Sequence, residues 1–171
     1  MDEKISTGKA IAEVRTMAYQ FADLYFAFVE EIYLRYGEET ALAMATAVLF
    51  KRARERAEAM IAKAEAEGIA RIPENIVIVT DVPYLGWVPD YGTDHCPYAA
   101  AWKKRLVEHP WFLKFARLYC DVTDTTIAEV FTGRYSHQNT SNVINGAASC
   151  ERDYFFSTAV VAGRYSYGSA D

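Results

Sequence analysis

The chain reads as an α+β protein: an N-terminal helical hairpin and two further helices packed on a small, mainly antiparallel sheet that ends in a C-terminal β-hairpin. Three observations predict this. Apolar residues recur at three- and four-residue steps through the first 67 positions, interrupted at Gly37. Composition then shifts to β-branched, proline- and glycine-containing segments. Near the end, Asn145-Gly146 lies between two runs with strand character, and that dipeptide favours tight hairpin turns.

The first helix is expected over residues 8–36, with Ile11, Val14, Met17 or Ala18, Phe21, Leu24 or Tyr25, Phe28 and Ile32 facing inward. Gly37 ends it. A second helix follows to Glu67 and stops at Gly68, with Leu42, Ala45, Leu49, Ala53, Met60 and Ile61 as its apolar positions. So short a link predicts an antiparallel hairpin. Ile76-Val77-Ile78-Val79 reads as a strand buried on both faces. Residues 82–94 mix Pro83, Gly86, Pro89 and Gly92 with Tyr84, Trp87 and Tyr91, the pattern of a loop that covers something. A helix is expected from Pro97 with Asp94 as its N-cap, and another from Pro110 to Phe131, closed by Gly133. Two strands, 135–144 and 148–161, complete the fold. A two-residue turn would pair residues whose numbers add to 291. Residues 1–171 make one domain, the hairpin in 1–70 and the α+β portion in 71–171.

An apolar fraction of 51% argues against disorder, and a net charge of -5 leaves no overall footprint for nucleic acid. The basic run Lys51-Arg52-Ala53-Arg54-Glu55-Arg56, followed by Glu58, Glu65 and Glu67, reads as a solvated helix face. The polar start Met1-Asp2-Glu3-Lys4 does not resemble a signal peptide, and no stretch is apolar enough to span a bilayer. Three cysteines, an odd number, fit a reduced cytoplasmic protein with free thiols.

Those cysteines carry the chemistry. Cys96, beside His95 and at a helix start, could be a nucleophile, with the helix terminus and imidazole lowering its pKa. Cys120 and Asp124 lie one turn apart on one helix face. If that face looks inward, Asp124 is a candidate general acid or base, with Asp121 and Thr125 outside. Cys150 opens the last strand, and the expected register gathers Asn139, Thr140, Cys150 and Arg152 into one patch. In that register Thr140 faces Glu151 and Ser141 faces Cys150. Arg152 and Arg134 are the arginines whose guanidinium fork could grip a substrate carboxylate. Each of these has a plain alternative as core filling or surface charge. The three cysteines with His95, His109 and His137 could instead assemble a metal site, although no spacing matches a zinc clip. Tyr154, Tyr165 and Tyr167 read as packing residues or a dimer contact.

Together these signatures resemble the L-2-amino-thiazoline-4-carboxylic acid hydrolase family. The residues that carry the resemblance are Cys96 with Pro97 and Tyr98, Cys120 with Asp124, and Gly146 with Cys150, within about residues 75–156. Ala147 and Arg152 stand where the family carries a polar or acidic residue and an aromatic one. The layout also looks like ligand-binding domains of the 4-vinyl-reductase type. The resemblance implies a cofactor-free hydrolase that opens a C–N or C–S bond of a small, cyclic, amino-acid-derived substrate. It implies Cys96 as nucleophile or polariser of a water, His95 as base and Asp124 as acid or base. Tyr98, Cys120, Asn139, Thr140, Cys150, Arg152 and Trp87 would contact the substrate. The competing expectations are a non-catalytic small-molecule binding or sensor domain, and a metal-dependent variant using the Cys/His set. A small-molecule partner and a homodimer are expected, with neither nucleic acid nor membrane.

Overall fold

The computed structural model describes residues 5–168. α1 (Thr7–Glu67) is capped by Ser6, whose side chain accepts from the Lys9 amide at 3.3 Å. Gly37, at φ 80° and ψ 171°, breaks it into two halves. The Arg52 guanidinium lies 5.4 Å from the centre of the Phe21 ring, which requires the halves to run antiparallel about Gly37. Gly68, at φ 68°, closes the second half.

The first half buries Arg15, Ala18, Ala22, Phe26 and Val29, while Met17, Leu24 and Phe28 are exposed. Of the expected inward positions Ala18 is buried and Phe21, Tyr25 and Ile32 pack against the core, whereas Phe28 points outward and Phe26 and Val29 take the buried places. The buried face is chosen by what packs on it: Trp102 donates to the Ala22 carbonyl at 2.9 Å, and Phe26 meets Phe112 edge-on. The second half buries Ala41, Ala45, Leu49, Ala53, Ala57, Met60 and Ala64. These seven recur at three- and four-residue steps, and five of them are alanines, whose small side chains let another helix approach closely.

That helix is α4 (Leu113–Thr132), which makes the most extensive contact with α1. It follows α3 (Pro97–Leu106) and a 3₁₀ turn at Pro110–Phe112, and ends at Gly133 with φ 66°. Phe112, Phe115, Trp102 and Tyr119 join Tyr25 and Phe26 of α1 in one aromatic core. Each buried large ring contributes roughly 1.5–3 kcal/mol.

Ile76–Val79 is not a strand but a single helical turn, α2, preceded by a 3₁₀ turn at Pro73–Asn75. Only Val79 is buried, and Val77 is 77% exposed. The tetrapeptide has no strand to pair with, so the turn started by Pro73 prevails over β propensity. Residues 82–94 form two further 3₁₀ turns, Tyr84–Trp87 and Pro89–Asp94. They do cover something. The buried Arg15 side chain donates to the carbonyls of Gly86 (2.9 Å), Asp94 (2.8 Å) and His95 (3.3 Å), and stacks under Tyr91. Asp94 therefore ends a turn; the N-cap position of α3 is Cys96.

β1 (Tyr135–Ser141) and β2 (Glu151–Phe156) form a two-stranded antiparallel sheet. From Tyr135↔Phe156 to Asn139↔Arg152 the register is the expected one. The turn is not. Asn145 does not have positive φ, as a type I′ turn would need; a 3₁₀ turn at Val143–Asn145 ends on Gly146 at φ 89°. An irregularity after Asn139 pairs Ser141 with Glu151, leaving Thr140 out of the ladder. After β2, Ser157 caps α5 (Thr158–Val161), and the tail returns to pack Tyr165 and Tyr167 against the two apolar clusters.

Candidate functional site

Three segments far apart in the chain bring the cysteines to one wall of the core. Cys96 comes from the start of α3, Cys120 from the middle of α4, and Cys150 from the residue before β2. Asn142 joins two of them. Its side chain lies beside the Cys120 thiol, and its Oδ1 is 3.9 Å from Cys150 Sγ. The Val143 amide donates to that sulfur at 3.5 Å, and Asn142 Oδ1 is fixed by the Ile144 amide at 2.9 Å. The Cys96 thiol faces the Tyr98 and Ala99 amides and the Trp87 indole. Tyr98 stands edge-on to both Trp87 and Tyr119.

The electrostatics differ from the expectation of a low-pKa nucleophile. Burial pushes the Cys96 thiol up, and the amides at the α3 terminus only partly oppose it. Burial also pushes Cys120 up, and the Asp124 carboxylate nearby adds to the shift. Both thiols are held protonated at neutral pH.

Beside the thiols runs a polar seam between α4 and the sheet. Asn139 donates to Asp121 at 2.9 Å, and Arg152, its partner across the ladder, holds Asp124 through Nε at 3.1 Å and a second nitrogen at 3.0 Å. Thr125 donates to the His137 carbonyl at 3.1 Å and lies 3.3 Å from His137 Nδ1. Its single proton is committed to the carbonyl, so the network assigns the ring proton to Nδ1. His137 Nε2 is then a buried acceptor without a partner among the described residues. Burial lowers the His137 pKa. Glu129, only 1% exposed, accepts from Ser136 Oγ at 2.5 Å, from the Ser166 amide at 2.8 Å and from the Ser166 hydroxyl. An open groove of about 950 Å³ runs between Ile72–Val77 and the sheet, and Arg152, Tyr135, Tyr154 and Phe155 line it.

The expected site residues divide accordingly. Cys96, Cys120, Cys150, Trp87 and Tyr98 come together, and Asp124, Arg152 and Asn139 border them. Asp124 is not a carboxylate enclosed by apolar groups; it is an ion-pair partner of Arg152. His95 Nδ1 donates to the Gly92 carbonyl at 3.0 Å within its own turn, and no hydrogen bond joins the His95 ring to Cys96 among the described residues. Thr140 is exposed at the ladder irregularity and pairs with neither Glu151 nor the thiols. Arg134 is exposed on the far end of β1's approach. Among the described residues no three His, Cys, Asp or Glu side chains gather as a metal-ligand set. Asp121 and Thr125, expected outside, face the sheet instead: Thr125 is buried and Asp121 is half-buried against Asn139. Sequence reasoning missed Asn142, Glu129 and Arg15. Only Glu129 left a trace, a charge on a helix face otherwise filled by Thr125, Thr126, Ala128 and Thr132. No helix among the described residues is long and apolar enough to cross a membrane. No family model, curated protein or solved structure matches the chain.

Proposed function

We propose that the protein is a hydrolase of the L-2-amino-thiazoline-4-carboxylate type, opening a C–S or C–N bond in a small amino-acid-derived ring. One observation carries the reading: three thiols from α3, α4 and the start of β2 share one wall of the core, and the Asp124–Arg152 pair near them presents Arg152 to an open groove. A substrate carboxylate entering that groove competes with Asp124 for the Arg152 fork. The released Asp124 can then take and return protons. Water oxygen bonds to the amidine-like carbon, the ring nitrogen takes a proton, the C–S bond breaks, and the sulfur leaves as a thiol. The carbon becomes a urea carbonyl, so aminothiazoline-carboxylate and water give N-carbamoyl-cysteine. A Cys96 thiol held neutral is poorly suited to attacking the ring itself.

The test is incubation with L-2-amino-thiazoline-4-carboxylate, reading the new thiol and the product mass. Turnover that falls about 100-fold in Asp124→Asn, with raised KM in Arg152→Ala, is expected. The protonation of Cys96 and Cys120 also favours a second reading, a small-molecule binding domain. Saturable binding of the same compound without ring opening would select it over the hydrolase.

A further inference from the structure

One face of the α1 hairpin is apolar and uncovered. Met17, Phe21, Leu24 and Phe28 recur at four- and three-residue steps and so form one row along the first half. Phe21 meets Tyr98 in the core, but Met17 (68% exposed), Leu24 (56%) and Phe28 (64%) are left outside. On the second half Met44 and Val48, both exposed, start a row that Arg52 continues. The two rows adjoin, because the Arg52 guanidinium lies over the Phe21 ring. Counting away from that contact along antiparallel helices brings Leu24 level with Leu49, beside Val48, and Phe28 level with Ala45, beside Met44. Leu24, Phe28, Met44 and Val48 therefore make one patch rather than scattered apolar positions. α3 and α4 reach the first half on the face that carries Ala22 and Phe26, so neither covers it.

The same rows carry charges beyond the patch. The first continues at its own steps through Glu31 and Arg35, an exposed pair bonded to each other. The second reaches Glu55 beyond Arg52. A second copy laid face to face and antiparallel on the first, about a two-fold axis at the level of Phe26, pairs first-row positions whose numbers add to 52. Leu24 then faces Phe28, Phe21 faces Glu31, and Met17 faces Arg35. Glu31 meets the Arg52 guanidinium that lies over Phe21 in the other copy. Arg35 approaches Glu55 of that copy, because Met17 is level with Arg56. Apolar groups meet at the centre and each charge meets its opposite toward either end. From Thr7 to Gly37 the first half runs roughly 45 Å, and two helices side by side are roughly 20 Å wide, a face of about 900 Å² per copy. A stable pairing needs about 800 Å² per partner.

We propose that two copies of the chain associate through this face, antiparallel about that two-fold axis, into a four-helix bundle with Leu24, Phe28, Met44 and Val48 at its centre and a Glu31–Arg52 contact toward each end. The surface belongs to the hairpin alone and does not depend on the hydrolase reading.

The experiment is sedimentation equilibrium of the full chain across about a hundredfold range of concentration. The mass expected is that of two chains. Leu24→Glu and Phe28→Glu, both at exposed positions, should give monomer with unchanged helical circular dichroism. Glu31→Arg and Arg52→Glu should each raise the dissociation constant about tenfold or more, and the two together should return it to within about threefold of wild type. Lys104→Glu makes the same change of charge on α3, beside Tyr19, and should leave the constant within about twofold. A single-chain mass at every concentration would overturn the proposal, and co-sedimentation of that monomer with phosphatidylcholine vesicles would give the face to a lipid surface instead. A dimer that survives Leu24→Glu and Phe28→Glu, single reversals that the double variant fails to rescue, or a Lys104→Glu loss equal to that of Arg52→Glu would also overturn it.

Discussion

Replacing Gly37 with alanine tests whether one backbone conformation makes α1 a hairpin. At φ 80° and ψ 171° the residue sits in a region that is essentially glycine-only, and holding an L-residue there costs about 1–3 kcal/mol. A Cβ at Gly37 would meet no heavy atom within 4 Å, so the cost lies wholly in the backbone. Alanine also narrows the unfolded ensemble, which returns about 0.4–1 kcal/mol. The net expectation is destabilisation by about 1.3 kcal/mol at the middle of both ranges and about 2.6 kcal/mol at most. Urea denaturation with a common m-value measures it. The reference is Gly8→Ala, in the first turn of α1 with equally open surroundings, where helix propensity predicts a gain of about 0.5–1 kcal/mol. The strain has one escape: alanine is a good helix former, and straightening α1 would open the hairpin and let two chains exchange halves. Size-exclusion chromatography at two concentrations detects that route as a new dimer. Gly37→Ala that matches wild type in stability and elutes unchanged would refute the reasoning, because neither strain nor its relief would then be visible.

Arg15→Ala removes a buried guanidinium that satisfies three carbonyls of residues 86–95; a loss of about 3 kcal/mol or more is expected, with new protease cleavage in 82–95. Cys96 and Cys120 should alkylate more slowly than a free thiol throughout pH 6–9 in rate measurements on Cys150→Ser; a fast group titrating below pH 7 would contradict their protonated state. For His137, burial lowers the folded pKa below the unfolded value of about 6.5, so the unfolded chain binds the extra proton. Its contribution is fully present above that value and is lost as pH falls below it toward the folded pKa. Chemical denaturation between pH 7.5 and 5 should show that loss, and His137→Gln should flatten it.

What could be read in advance followed from local rules. The breaks at Gly37, Gly68 and Gly133, the start of α3 at Pro97 and the strand register all depend on residues within a few positions of one another. The register survives because the pairing set by the strands tolerates a longer connection: the ladder irregularity after Asn139 absorbs the difference between a two-residue turn and the turn that forms. The failures share a different cause. Ile76–Val79 has the composition of a strand but no partner strand, a fact held by the topology and not by the tetrapeptide. Arg56 belongs to a run that reads as solvated, yet its partner Asp81 arrives 25 residues later. Asn142 looks like an ordinary turn residue until Cys120 and Cys150 are brought to either side of it.

The α4–sheet seam explains why the site can be built on so small a sheet. Two strands alone are marginal in water, and β2 is exposed along its whole length. β1 is held instead from the helix side, by Thr132 accepting from the Tyr135 amide at 2.9 Å, Glu129 from Ser136, Thr125 bonding His137, and Asp121 accepting from Asn139. An apolar seam of equal area would contribute more stability, because each buried polar group gives only about 0.5–1.5 kcal/mol net. What hydrogen bonds add is register: each side chain has one partner at one distance, so the strand cannot slide along the helix without leaving buried groups unpaired. Arg152 is positioned by the ladder opposite Asn139, and through it the Asp124 pair and the neighbouring Cys150 inherit that fixed register. If Arg152 grips a substrate carboxylate as proposed, the groove benefits from that rigidity more than from added stability.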